Sequence, residues 1–335
     1  MTGQSTPEPP RITMPKAQKR YFPPPPQFPP ANPKIFAATP PLAFQTALGL
    51  LMALVAIKAL RPMSGPHDIA IGLGAGLWLF CMIAYGVKLC RRAGTLTQDL
   101  RVLTGNAGLT AGLLSTAALA VLVQPIWPRL ALGLAAMTLL AQVFLAGLAA
   151  RAYLRKGQGD VTPVWHLNFA SFSLAGIVMA DAGQVAVAQA TLAVSLIAMV
   201  AIWALSLRQL VARIPPEPLR PLLLIHVLPS SLLAVLGAHL GYGQFSLLML
   251  GASLLLAVAL FASLRWILKS GFGPIWAVIP APIGAFAWAL QAQVIFIGGW
   301  IVAGIALVLS LWIGYKILKL WAEKKLTAQT NAASV

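Results

Sequence analysis

The sequence predicts an all-α membrane protein with ten transmembrane helices in five helical hairpins, the odd-numbered helices lying innermost around a central pore. Three observations lead there. Apolar residues make up 59% of the chain and charged residues 9%, whereas an ordinary soluble domain is nearer a quarter charged. Almost all of residues 40–320 divides into apolar stretches of about 20 residues, the length that crosses a hydrocarbon core of ~30 Å. Finally, the prolines inside those stretches, Pro229, Pro280 and Pro282, all fall in odd-numbered ones, and the even-numbered stretches contain none. A proline removes one backbone hydrogen bond and displaces the carbonyl four residues back. Neighbouring helices or water must repair that defect, and lipid does not. Proline-bearing helices therefore belong inside a ring of straight outer ones.

The elements follow in order. Residues 1–39 carry so many prolines, including the run Pro23–Pro26, that they are expected to form a disordered, polyproline-like cytoplasmic tail. The spans are 40–60, 69–90, 105–124, 130–150, 163–183, 185–207, 221–241, 244–264, 274–292 and 295–318. First members of the hairpins begin near Pro40, Gly105, Pro163, Pro221 and Pro274, a repeat of roughly sixty residues. Between the second and third spans, 91–104 is a polar connector with room for a brief interfacial helix. The segment from Arg213 to Pro221 is a stiff turn that fixes where the seventh span starts. Residues 321–335 are expected to be a frayed polar tail. Connections on the opposite side are short, at 61–68, 125–129, 182–184, 242–243 and 293–294, which leaves no room there for a domain.

A net charge of +17 suggests nucleic acid until the charges are placed on this topology. Twenty-one of the 24 Lys and Arg then fall on one side, and only Lys58, Arg61 and Arg129 on the other. Cytoplasmic loops retain Lys and Arg, so both termini are expected in the cytoplasm, with no nucleic-acid partner. Some contact with anionic lipid fits the same excess.

The chemistry that is missing narrows the function. None of the seven acids, Glu8, Asp68, Asp99, Asp160, Asp181, Glu217 and Glu323, lies in the middle of a span. A proton- or sodium-coupled carrier often places an acid there, and a membrane prenyltransferase needs acidic clusters for magnesium. No phosphate-gripping GxxxxGK[ST] loop occurs, which removes an ATP-driven pump. Cys81 and Cys90 sit nine residues apart on one helix, too far to bridge. No enzyme activity, cofactor or metal site is expected. Two readings of His166 and His226, near the cytoplasmic ends of their spans, stand side by side. Either each ring is satisfied by a backbone carbonyl, or both line an inner vestibule where a part-protonated imidazole attracts anions. All five odd spans run outward from the cytoplasm, so five helix N-termini, each carrying about half a positive charge, face that mouth. Breaks at Pro229 and Pro282 would add backbone N–H groups at membrane depth, where an anion is held weakly enough to leave.

Several segments resemble a known family. The start of the first span, Pro40–Leu50 with Phe44, Leu48, Gly49 and Leu50, resembles the F-x-x-x-L-G-L start of the tellurite-resistance/dicarboxylate transporter family. That family includes the bacterial TehA proteins and the plant slow anion channels of guard cells. Pro216–Pro221 resembles its P-x-x-L-R-P turn, and Ile225–Ser231 its I-x-x-A-P-P-S stretch, with Leu228 and Ser230 in place of the Ala and second Pro. Ile275–Pro282 resembles the W-W-A-x-x-F-P signature, and Thr162–Trp165 the T-P-x-W start of the fifth helix. The resemblance implies five hairpins in quasi-fivefold symmetry around a pore, in a homotrimer in the bacterial inner membrane. It implies passage of small inorganic or organic anions, by a channel or by a carrier of C4-dicarboxylates or sulfite; a non-transporting scaffold is the third class. It also implies closure by a phenylalanine of the ninth helix. Here the sequence departs, because Pro280 or Ala281 occupies that place and Gln45 replaces the glycine after Phe44. Phe286, one turn beyond Pro282, and Phe44, Phe169 and Phe172 on other inner helices are the alternative plugs.

Overall fold

Ten long helices account for most of the residues described by the computed structural model, which are 36–59, 65–156 and 161–333. We label them α1 (Phe44–Lys58), α2 (Gly65–Arg91), α3 (Leu103–Val123), α4 (Pro128–Lys156), α5 (Trp165–Asp181), α6 (Val185–Ala212), α7 (Val227–His239), α8 (Gly243–Ala262), α9 (Pro280–Ala292) and α10 (Phe296–Ala322). No strand occurs among the described residues. Nine of these helices, three of them taken with a leading 3-10 turn, are long and apolar enough to cross a membrane. The tenth, α5, has 17 residues, about 25 Å of helix. This is a helical membrane protein.

Burial sorts the helices into two sets. Inner spans α1, α3, α7 and α9 are 78–94% buried, against 22–28% for α2, α4, α6, α8 and α10. Thirteen of the 17 residues of α5 are buried, which puts it with the inner set. The exposed residues of the other set are large and apolar, such as Leu140, Ile197, Leu255 and Ile301. In water such surfaces would be a liability; against lipid chains they are not. Inner helices touch in sequence, α1 on α3, α3 on α5, α5 on α7, α7 on α9 and α9 back on α1, so the contacts close a ring of five. Each outer helix packs on its own hairpin partner and on the next inner helix.

Three inner spans change helix type within their length, the first of them by a single 3-10 turn, Pro41–Ala43, ahead of α1. A 3-10 segment, Glu217–His226, leads into α7 at Val227, and another, Pro274–Val278, leads into α9 at Pro280. Sequence reasoning places the breaks after Pro229 and Pro282; the structure places them before. Pro229 and Pro282 are the third residues of their α-helices and Pro280 the first. First-turn N–H groups have no intrahelical acceptor, so a proline there forfeits nothing.

Both ends of the described chain are tied down on the side of the inner helices' N-termini. Lys88 and Asp99 form an ion pair of 2.8 Å with both side chains fully buried. Asp99 also accepts from the Tyr85 hydroxyl at 2.9 Å and from the backbone N–H of Ala333 at 2.8 Å. Lys88 also donates to the carbonyl of Thr39 at 3.0 Å. A short helix, Lys325–Gln329, buries Leu326, and Thr327 donates to Ala38. So Thr39 and residues 325–333 are docked, where the sequence suggests solvated tails; residues 1–35 of the proline-rich tail lie outside the described residues. Polar composition hides this docking because the partners are 234 residues apart. The connector does contain a short helix, Gly94–Leu100. Asp99→Asn leaves Lys88 buried without a counter-charge, so it should destabilise the protein by about 3–5 kcal/mol. Thermal unfolding in detergent, with proteolysis at the C-terminal segment, checks this.

Candidate functional site

The C-terminal ends of all five inner helices meet at one cavity. It has a volume of about 490 Å³ and is lined by residues of every ring member, among them Lys58, Gln124, Asp181, His239 and Trp288. These ends carry the last carbonyls of each helix, which have no intrahelical donor. Lys58 answers that need for α3: its ammonium donates to the carbonyls of Val121 at 2.6 Å and Leu122 at 3.1 Å. Across the cavity the Asp181 carboxylate takes a hydrogen bond from Nδ1 of His239 at 2.6 Å. The Trp288 ring stands edge-on to His239, centroids 6.4 Å apart.

Leu48, Leu114, Leu174, Leu232 and Ala281 each lie seven residues before a cavity residue, namely Val55, Val121, Asp181, His239 and Trp288. Seven residues return a helix to within about 20° of the same face and move about 10 Å along it. All five are at most 1% exposed and belong to one hydrophobic cluster. Five buried aliphatic side chains thus stand one seven-residue step from the cavity toward the other end of the ring.

At that other end, Nε2 of His166 lies 2.8 Å from Nδ1 of His226. The rings are edge to face with centroids 4.8 Å apart. One nitrogen donates and the other accepts, so the pair joins the first turn of α5 to the residue just before α7. Neither of the two sequence readings has this arrangement, in which the imidazoles bond each other. Nδ1 of His166 is buried without a partner, as is the hydroxyl of Ser173 seven residues on, along the same face of α5. These are polar groups left over inside the ring. No cluster of three metal-ligating side chains occurs among the described residues.

The phenylalanines singled out from the sequence lie elsewhere. Phe286 is two residues from Trp288, which puts it about 200° round α9. It lines a separate apolar crevice of about 300 Å³ with Phe261, Pro282, Ile305 and Leu309. Phe44 stacks edge-on with Tyr85 of α2, centroids 6.0 Å apart, and abuts Gly112 of α3. Gly49 faces Pro280 and Ser310, and Pro229 is buried and outside the cavity lining. Phe169 and Phe172 stack on each other, centroids 6.3 Å apart. None of them lines the five-helix cavity. Sequence reasoning passed over Lys58, Asp181 and Trp288 as site residues. The available signal was scarcity, because few charged side chains stand at that end of the spans.

In comparisons with known proteins, no family model matches this chain and no curated protein matches it.

Proposed function

We propose that this protein is a passage for small anions, with ten transmembrane helices in five quasi-fivefold hairpins and the path along the axis of the inner ring. The observation that carries the reading is the meeting of five inner-helix C-termini at one cavity that holds a lysine. Five parallel helices put their positive N-terminal poles together at the opposite mouth. That mouth also holds the His166–His226 pair. An anion is drawn there without a full buried charge, and the unpartnered hydroxyl of Ser173 can donate to one on its way through. The resemblance to the tellurite-resistance/dicarboxylate transporter family supports the same reading, with a homotrimer in the bacterial inner membrane. The bias of 21 to 3 in Lys and Arg supports cytoplasmic termini and an outward-facing Lys58.

The gate in this reading is the aliphatic layer at Leu48, Leu114, Leu174 and Leu232. A narrow apolar constriction resists wetting and so blocks ions without an aromatic plug.

The test is efflux from liposomes holding the purified protein, with chloride, nitrate, sulfite, tellurite and malate in turn. Fast anion loss without proton dependence is the expected outcome. Saturable, proton-dependent exchange would make the protein a carrier. Silence with every anion would make it a scaffold. A cysteine at Gly243, the first residue of α8, should react with an impermeant thiol reagent from outside only.

A further inference from the structure

We infer that Asp181 is a valence filter at the Lys58 mouth, admitting monovalent anions in preference to divalent ones. The inference rests on the anion-passage reading and adds what that reading lacks, a group that selects. Two cationic groups face this cavity among the described residues, Lys58 and, when protonated, His239. Asp181 is the one acid that lines it. Its side chain is 35% exposed and His239 is 31% exposed, so the pair is open to the cavity rather than sealed in protein. His67 and Asp68 begin α2 outside the lining; His67 sits 3.3 Å from the Leu54 carbonyl.

The carboxylate occupies the place an arriving anion would take. It holds His239 at 2.6 Å, the hydrogen bond that a transported anion would otherwise receive. Lys58 spends two of its three donors on Val121 and Leu122 and leaves one for the cavity. Five helix C-termini add about half a negative charge each to the same mouth. An entering anion therefore meets the attraction of Lys58 against the repulsion of Asp181 and of the helix ends.

Repulsion between fixed charges grows in proportion to the charge of the visitor. Whatever factor Asp181 imposes on nitrate, it imposes roughly the square of that factor on sulfate at the same position. Geometry alone would not give that relation, since a steric barrier depends on size and not on valence. Asparagine in place of Asp181 keeps the shape and an oxygen acceptor for His239 and removes the charge.

The experiment compares wild type, Asp181→Asn and Asp181→Glu. Nitrate and sulfate binding to the detergent-solubilised full chain is measured by calorimetry, and uptake of both ions into liposomes is measured alongside. Asp181→Asn should tighten nitrate binding roughly threefold and sulfate binding about tenfold, with matching gains in uptake. Asp181→Glu should keep the wild-type ratio. Equal gains for the two ions, or no gain in an Asp181→Asn protein that elutes and melts like wild type, would overturn the assignment. If neither protein carries any anion, the passage reading fails, and the binding ratio still decides the role of Asp181.

Discussion

Shortening Leu48 and Leu232 together to serine should raise basal anion conductance by at least roughly tenfold, since a tenfold rate change needs only about 1.4 kcal/mol of barrier. Both side chains are fully buried and stand seven residues below the cavity residues Val55 and His239. Serine at both positions removes the apolar surface that keeps the constriction dry and supplies two hydroxyls in its place. The same change opens space in a packed core, and each buried leucine truncated costs about 2–5 kcal/mol. Conductance per folded molecule is therefore the quantity to measure, with folding checked by gel filtration. Phe286→Ala is the contrast. Its ring faces the crevice shared with Phe261 and Ile305, away from Trp288, so its loss should leave conductance near the wild-type value. A large rise in Phe286→Ala with no rise in the double leucine variant would move the constriction to the other face of α9.

Gly108→Ala should destabilise the protein by about 3 kcal/mol or more. A Cβ at Gly108 would stand 2.2 Å from the carbonyl carbon of Pro41 and 2.5 Å from the backbone nitrogen of Leu42. Those are backbone atoms and cannot rotate aside, so α3 and the start of the first span would have to move apart. Gly284 shows the same close approach, to the backbone of Met52 and Ala53 at 2.8–3.0 Å. The turn leading into α1 packs on α3, and α1 on α9, backbone to backbone through a glycine, the way membrane helices gain contact without a hydrophobic drive. Gly133→Ala on the outer helix α4 is the control. Nothing lies within 4 Å of a Cβ there, and alanine should gain up to about 1 kcal/mol from helix propensity. Melting of the three proteins in detergent checks both signs.

Much of the fold can be read in the sequence because the bilayer imposes a length and a polarity on every span. The prolines at 229, 280 and 282 mark inner helices correctly by burial, and each lies in a span at least 78% buried. Their local effect is less readable. Whether a proline kinks a helix or opens one depends on where the 3-10 segment before it ends, and apolar composition is the same on both sides of that junction. The direction of Phe286 is lost for the same reason, since counting from Pro282 crosses the first turn of α9 while counting from Trp288 does not. The docked C-terminal segment depends on Asp99 meeting the backbone of Ala333, and a backbone N–H leaves no trace in the sequence. Lys58 is visible in the sequence as one of three cations on the side opposite the basic excess. That it caps the carbonyls of α3 beside Asp181 and His239 required the ring to be closed.

The decisive recording is the reversal potential across a planar bilayer holding the purified protein, with a tenfold gradient of potassium chloride. An axial anion path predicts stepwise currents that reverse near the chloride equilibrium potential, and larger unitary steps when Leu48 and Leu232 are serines. Currents that reverse near the potassium potential, or a bilayer that stays silent with both the wild type and the double leucine variant folded, would contradict it.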